Sequence, residues 1–180
     1  MGVAIVTTVY LLFPAMTANA APVFIKKGHP IDCGKSLRDK RRLFGDGKSF
    51  EGFALGLAVG VVTTLIEFVG MPGTQRIVTG LTFSIGALLG DLCGAFVKRR
   101  AGFERGQPAP LLDQLDFVLG AYLLAIVVNY GIGEGASVFG NGIPVGEQLT
   151  IVLTSLYIIP IIHLLTNAGA YRLKLKTNPW

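Results

Sequence analysis

Apolar residues occur in five long runs along the chain, and short polar segments separate them. The runs cover about 3–25, 53–70, 77–97, 115–132 and 149–165. Each run is close to the ~20 residues that cross a hydrocarbon core as a helix. Lipid offers the backbone no hydrogen-bond partner, so a helix is the expected conformation of each run. The pattern therefore predicts an all-α integral membrane protein, a bundle of five transmembrane helices that forms one transmembrane domain over residues 1–180.

Composition supports this prediction. Apolar residues make up 51% of the chain and charged residues only 15%, and the mean hydropathy is +0.58. An average soluble domain carries about 25% charged residues, so the balance favours a membrane protein.

The basic residues indicate an orientation for the bundle. Fifteen of the 16 Lys and Arg residues fall in the loop at about 26–52, in the loop at about 98–114, or in the C-terminal tail, which lie on one side of a five-span bundle. Only Arg76 falls on the other side. Short loops rich in Lys and Arg stay in the cytoplasm. We therefore expect a multi-pass protein of the cell membrane with its N-terminus outside, its C-terminus in the cytoplasm and two functional cytoplasmic loops.

The first run also allows a second interpretation. Its end, Ala18-Asn19-Ala20, is typical of a signal-peptidase site, which would make the run a cleaved signal peptide. However, the first ten residues contain no Lys or Arg, and cleavage would place the most basic loop outside. An uncleaved first span is the favoured interpretation.

Glycines at four-residue spacing mark one face of the second and third spans. They are Gly52, Gly56 and Gly60, followed by Gly86, Gly90 and Gly94. Small residues at this spacing allow helix backbones to approach closely in membranes. Because only a short segment connects these two spans, we expect them to form an antiparallel hairpin.

The segment Gly45-Asp46-Gly47-Lys48-Ser49 ends like a phosphate-binding P-loop. That motif needs an earlier glycine where this chain has Arg42, and it must follow a buried strand, which the preceding run of charges excludes. Lys and Arg bind phosphate oxygens, and glycines let a ligand approach the backbone. The loop thus still offers a polyphosphate site, although solvated cations of a cytoplasmic loop would also explain its charge.

Carboxylates supply a second candidate feature. If the fourth helix begins near Leu111, Asp113 and Asp116 share a face at its cytoplasmic end. Paired carboxylates beside cations can hold Mg²⁺ together with substrate phosphates. Equally, these residues could cap the helix and complement its dipole. Asp91 lies within the third span, where a carboxylate is a functional candidate by default.

Other polar residues within the spans have less specific interpretations. Glu67 is as well explained by an interfacial position as by a functional one. Asn129 and His163 are more often hydrogen-bonded packing residues, and both are left outside the candidate site.

Three blocks of the sequence, taken together, indicate a protein family far more specifically than any one block does. They are residues 30–52, 90–100 and 111–121. In this order, and with five spans, the chain resembles the CDP-archaeol synthases of archaea, compact relatives of the CDP-diacylglycerol synthases. The resemblance implies a Mg²⁺-dependent cytidylyltransferase that moves CMP from CTP to digeranylgeranylglyceryl phosphate, an anionic isoprenoid ether lipid, and releases pyrophosphate.

The resemblance also implies site residues. Lys98 and Arg99 match a Lys-Arg signature, and Asp113 and Asp116 match the closing Asp-x-x-Asp pair, so these four are the catalytic candidates. The metal ligands would be Asp113 and Asp116, with Asp91 or Glu104 in place of a further aspartate. Ala95 stands where a serine is expected. The nucleotide-binding candidates in the basic segments are Lys35, Arg41, Arg42, Gly45, Asp46, Gly47, Lys48 and Arg100.

Two other classes of function remain open. A small ion- or lipid-coupled transporter could use Asp91 and Glu67 on an ion path, but transporter sites lie near mid-membrane rather than in loops. A lipid-binding scaffold would need the cations but not the paired aspartates. No basic motif interleaved with aromatic residues indicates a nucleic-acid partner. The oligomeric state stays open, with a homodimer among the alternatives.

Overall fold

The computed structural model describes residues 2–70, 73–104, 106–135, 137–140 and 143–175. Five long helices account for most of this part of the chain, and its remaining ordered structure is a short 3₁₀ turn and two isolated β-bridges. The helices are α1 Gly2–Ala20, continued by the 3₁₀ turn Ala21–Phe24, α2 Phe50–Gly70, α3 Thr74–Arg100, α4 Leu112–Gly131 and α5 Val145–Arg172. Each is long and apolar enough to cross a membrane, which confirms the predicted all-helical fold and its five spans.

The observed helices are longer than several apolar runs. The predicted third span ends at residue 97, but α3 continues to Arg100, so Lys98, Arg99 and Arg100 form the last turn of a helix rather than the start of a loop. Cations in a last turn complement the negative end of the helix dipole, which favours this extension. Likewise α5 runs from Val145 to Arg172, well beyond the predicted 149–165. Arg105, Lys176 and the Met71-Pro72 turn lie outside the described residues.

The glycine faces let α2, α3 and α4 pack closely. A Cβ added to Gly60 would overlap Ser84, and one added to Gly56 would overlap Leu88, so α2 and α3 run antiparallel, as predicted for the hairpin. The later glycines of α3 face a different helix. A Cβ on Gly86 would overlap the backbone at Gly120 and Ala121 of α4. The two glycine stripes therefore hold three helices together.

The core lies where α1, α3 and α4 meet. Leu12, Phe83 and Val118 are completely buried there, and Phe83 makes an edge-to-face contact with Tyr122, with ring centroids 5.8 Å apart. Among the described residues, α5 packs against α1 and α4 but not against α2 or α3. A buried hydrogen bond of 2.7 Å from Tyr122 to Ser155 of α5 helps to fix that peripheral helix.

The far end of the bundle, opposite the first basic loop, is closed by an uncharged polar network. Asn129 is buried and donates to the Ser137 carbonyl at 2.9 Å. The packing role predicted for Asn129 is therefore confirmed. Glu67 lies at the same end, buried beside Arg76 and Tyr10.

Candidate functional site

The first basic loop, residues 25–49, is folded around one buried carboxylate, that of Asp32. The loop doubles back on itself through backbone hydrogen bonds, including Ile31 N–H to the Lys48 carbonyl at 2.8 Å. The side chain of Asp32 is fully buried inside this fold. Its two oxygens accept five hydrogen bonds, from Gly34 N, Phe44 N, Gly45 N, Arg42 Nε and Arg42 Nη2.

Asp32 is held in its charged form. Burial alone would raise the pKa of its carboxyl, but the hydrogen bonds from Arg42 and three backbone amides outweigh burial and keep that pKa well below its usual range. Hydrogen bonds to a charged form favour that form. Asp32 therefore fixes the start of the Gly45–Lys48 segment, where Gly45 adopts a left-handed φ of +89° that favours glycine.

The loop is docked on the end of α3. Arg41 Nη1 donates to the Arg100 carbonyl at 2.8 Å and so caps the helix C-terminus. In return, Arg100 donates to both oxygens of Asp39 at 2.7 and 2.6 Å and to the carbonyl of Arg42. Arg41 and Arg100, which are 59 positions apart in the sequence, thus join the two basic segments.

Docking leaves one donor beside the glycines without an acceptor. Arg99 donates from Nη1 to the Phe103 carbonyl at 2.8 Å, whereas its buried Nε has no hydrogen-bond partner among the described residues. A Cβ added to Gly45 would lie 3.9 Å from that Nε, so the glycine and the guanidinium are neighbours. An anion at this position would satisfy the unused N–H.

Lys48 extends from the glycine segment to the third helix. Its Nζ lies 2.5 Å from Asp91 Oδ2, and each side chain is about one quarter exposed, at 25% and 27%. The pair links the predicted phosphate loop to the carboxylate predicted within the span. The ammonium group of Lys48 and the carboxylate of Asp91 thus lie together where the loop meets α3.

Asp113 contacts both a predicted catalytic cation and the backbone that precedes its helix. One of its oxygens lies 2.5 Å from Lys98 Nζ, and the other accepts a hydrogen bond from Ala109 N–H at 2.8 Å. The second contact reaches back across the first turn of α4, as helix-capping carboxylates do. The contact with Ala109 agrees with the capping interpretation of Asp113. The contact with Lys98 joins Asp113 to another predicted catalytic residue.

Asp116 faces α3 instead. Its Oδ1 accepts from Phe117 N–H at 2.7 Å, and a Cβ added to Gly94 would overlap its carboxylate, so only a glycine leaves room for it. Asp116 interacts electrostatically with Asp91 and with the ammonium groups of Lys48 and Lys98. Asp91 and Asp116, on neighbouring helices, thus form an acidic pair that interacts electrostatically.

The carboxylates of Asp91 and Asp116 are the chemical type of ligand that a divalent cation prefers. Two carboxylates of like charge are placed together, and lysine ammonium groups balance them. Carboxylate oxygens suit Mg²⁺, which takes its remaining ligands from water and phosphate. Within the part of the chain that the structure describes, no three His, Cys, Asp or Glu side chains form a preformed metal cluster. Asp91 and Asp116 would therefore leave part of the shell of such a cation to water and phosphate.

A cavity of about 520 Å³ opens beside Asp91 of this acidic pair. It lies between α1 and α5 and reaches Asp46 and Gly47 of the loop, Asp91 of α3 and Phe117 of α4. Its walls therefore include both the candidate nucleotide segment and an acidic residue of the candidate metal site. The same cavity extends along apolar residues of α1 and α5 such as Phe13 and Ile159.

The structure brings most of the predicted residues to one end of the bundle. Asp46 pairs with Arg42 at 2.8 Å and borders the cavity. Lys35 is exposed on the outer part of the loop. Two participants were not among the predicted site residues. Asp32 had one local signal, since Asp-x-Gly permits the Asx turn seen at Gly34. His163 was visible as a polar residue in an apolar span but was assigned to packing, and Asn167, one turn later, lies beyond the predicted span and had no assignment.

Comparison with known proteins gives a consistent result over the whole chain. A family model described as CarS-like, CDP-archaeol synthase, matches residues 1–180. The CDP-archaeol synthase of Sulfolobus acidocaldarius is 43% identical over 169 residues, which is 93% of each chain. The CDP-archaeol synthase of Hyperthermus butylicus is 41% identical over 174 residues, and the match covers 96% of this chain and 95% of that enzyme.

A solved structure is similar as well. It is described as an intramembrane enzyme for archaeal membrane lipid biosynthesis, and it shares 38% identity with this chain at a TM-score of 0.75. The match covers 91% of this chain and 94% of the other. At 38% identity, the two chains are similar in sequence as well as in fold.

Proposed function

The chain belongs to the CDP-archaeol synthase family, and from this membership we propose how its loops, its acidic pair and its cavity act on the two substrates. The protein is a membrane-embedded cytidylyltransferase of archaeal lipid synthesis, and it joins a nucleotide to a lipid precursor. The observation that carries the proposal is the contact between Lys48 of the glycine segment and Asp91 of α3, because it joins the candidate nucleotide segment to a candidate metal ligand beside an amphipathic cavity.

The proposed reaction transfers CMP from CTP to digeranylgeranylglyceryl phosphate. An oxygen of the lipid phosphate forms a bond to the α-phosphorus of CTP, the bond from that phosphorus to the bridging oxygen breaks, and pyrophosphate leaves with the electron pair. A phosphate monoester has a second pKa of about 6, so the nucleophile is largely ionised near neutral pH and needs no strong base. The main obstacle is the repulsion between two anions.

The basic residues at the junction reduce this repulsion. The Gly45–Lys48 segment closes over the nucleotide phosphates, and its glycines allow backbone N–H groups to approach them. Lys48, Lys98 and the unused Nε of Arg99 provide the nearest positive charge. Fixed charges aimed at the reacting phosphates stabilise charge as it shifts in the transition state. Arg41 and Arg100 act indirectly, because they hold the loop on α3.

Mg²⁺ is the cofactor that this donor set suits. Asp91 and Asp116 would hold it with phosphate oxygens of the nucleotide, and Asp113 supports the site through Lys98. When bound, Mg²⁺ would supply positive charge to the phosphates and help to orient the in-line displacement. Lys48 would then exchange its contact with Asp91 for one with a phosphate.

The cavity between α1 and α5 takes the lipid precursor. Its apolar part, with Phe13 and Ile159, suits isoprenoid chains, and its polar part reaches the loop and Asp91. We assign this end of the bundle to the cytoplasm of the cell, where CTP is available and where short basic loops remain.

Exchange of Lys48 tests the nucleotide site. Lys48→Met removes the ammonium group that the proposal places on phosphate, and we expect the KM for CTP to rise about 10-fold or more, the loss of one charge-assisted hydrogen bond. The matched control is Lys27→Met, an exposed cation of the same loop, which should leave the KM for CTP within about twofold. Equal KM values for CTP in Lys48→Met and wild type would exclude the phosphate role of Lys48.

A further inference from the structure

One face of α5 forms a continuous wall of the cavity. Ile159, Ile162, His163, Thr166 and Asn167 all line it. Their spacing of three and four residues places them on one side of the helix, so this face points at the cavity rather than at lipid. The cavity-lining residues of α5 are therefore available to a bound substrate.

The chemistry of this wall changes along the helix. Ile159 and Ile162 are apolar, whereas His163 and Asn167, one turn further on, are polar. The facing wall of α1 changes in the same direction, from Phe13 and Met16 to Asn19, and ends at Lys26 in the loop. A cavity with one apolar end and one polar end matches a molecule with hydrocarbon chains and an anionic head group.

His163 is held in a fixed position at the boundary. Its ring stacks on Phe117 of α4, with centroids 6.1 Å apart and planes inclined by 30°. The side-chain nitrogen of Asn167 lies 3.2 Å from Nδ1 and 3.3 Å from Nε2 of His163. Ionisable residues within membrane spans are rare and usually face a polar cavity or a partner, which makes this pair a candidate for binding. Imidazole and amide N–H groups are both donors suited to phosphate oxygens.

We propose that His163 and Asn167 bind the phosphate group of the lipid acceptor and orient it toward the nucleotide at the Gly45–Lys48 segment. The inference rests on the cytidylyltransferase activity and adds the acceptor side of its site. The phosphate lies between α5 and the acidic pair, and the chains run along Ile159 and Ile162. His163 acts as an acceptor-binding residue, because the dianionic phosphate needs no proton removed before it attacks.

Steady-state kinetics with both substrates tests the proposal. We expect His163→Leu and Asn167→Leu to raise the KM for digeranylgeranylglyceryl phosphate about 10-fold or more, while the KM for CTP stays within about twofold. His163→Gln retains an N–H donor and should recover part of the affinity. The control is Thr166→Val, which removes a hydroxyl from the same face that is bonded to the backbone carbonyl of His163 at 3.0 Å.

A second measurement separates binding from folding and from activity. Native mass spectrometry of purified protein with the lipid phosphate, without nucleotide, should show retained lipid in wild type and Thr166→Val but reduced retention in His163→Leu. An unchanged lipid KM and unchanged retention in His163→Leu would overturn the proposal. A rise in the KM for CTP instead would also overturn it, since the pair would then serve the nucleotide. If wild type retained lipid but transferred no CMP, the cytidylyltransferase assignment would be wrong. The comparison of lipid retention between wild type and His163→Leu would still test the role of His163.

Discussion

Replacing Asp32 by asparagine should disorder the first basic loop without unfolding the bundle. Asp32 accepts two hydrogen bonds on Oδ1 and three on Oδ2, and its side chain is fully buried. Asparagine has the same shape but carries one oxygen and one NH₂ group. Whichever oxygen is replaced, at least two of the five bonds are lost, and an N–H donor then faces other N–H donors. The helices of the bundle make none of these contacts.

The size of the effect follows from this count. A hydrogen bond that involves a charged group contributes about 1.5–3 kcal/mol, so two lost bonds cost about 3–6 kcal/mol. Because the Arg42 side chain is 29% exposed and water screens part of its interaction, the lower end applies. About 3 kcal/mol corresponds to a shift of roughly 100-fold in the equilibrium between the ordered and the open loop. Apparent affinity falls with the fraction of protein competent to bind, so we expect the KM for CTP to rise about 10-fold or more.

The assay combines CTP kinetics with limited trypsin digestion of the loop, which contains several Lys and Arg residues. Asp32→Asn should be cut faster than wild type, and its helical circular dichroism should be unchanged. Glu51→Gln is the matched control, because it removes the same charge beside the same loop at a side chain that is 41% exposed, where an ion pair contributes about 0–1 kcal/mol. Wild-type digestion and wild-type KM in Asp32→Asn would refute the idea that one carboxylate organises the loop.

Two further predictions concern packing and pH. Gly94→Ala places a methyl group against the Asp116 carboxylate, so cytidylyl transfer should fall by about 100-fold, a typical result of misplacing a catalytic group by about 1 Å; near-normal transfer would show that this carboxylate can move without consequence. His29 has its pKa raised by the hydrogen bond and charge of Glu51, so this contact is complete below about pH 6.5 and is lost as the pH rises through the raised pKa. NMR titration of labelled histidine should show that Glu51→Gln lowers the pKa of His29, and an unchanged pKa would contradict the assignment.

The spans were predictable because each depends on local hydrophobicity. The ends of the helices were less so, since hydropathy falls at Lys98 while the helix continues to Arg100. A helix requires only its backbone hydrogen bonds, and a cationic last turn is favourable to the dipole. Apolar runs therefore underestimate helices that leave the membrane with charged residues.

The candidate site was predictable in composition but not in its pairings. The sequence spacing of Asp113 and Asp116 suggested one shared metal site, which stays a prediction; the structure adds an electrostatic interaction of Asp116 with Asp91 on the neighbouring helix and a capping contact of Asp113. Contacts between helices depend on which faces meet, and here Gly90 and Gly94 bring α3 onto α4 at Asp116. No periodicity within one helix contains that information.

The cavity required the structure altogether. His163 alone in an apolar span is more often a packing residue, and the contact with Phe117 is a packing contact. In the structure, one cavity is bordered by α1, α5, the loop and Asp91. His163 lines this cavity, so it faces the space proposed for the substrate as well as Phe117.

Cytidylyl transfer to a membrane lipid should depend on the Asp91–Asp116 pair. The most direct measurement incubates purified protein in detergent with CTP labelled at the α-phosphate, Mg²⁺ and digeranylgeranylglyceryl phosphate, and follows label into the lipid fraction. Wild type should transfer label, Asp116→Asn should do so about 100-fold or more slowly, and Glu67→Gln, a buried carboxylate at the far end of the bundle, should match wild type. Turnover by Asp116→Asn at the wild-type rate would exclude a role of this carboxylate in the transfer.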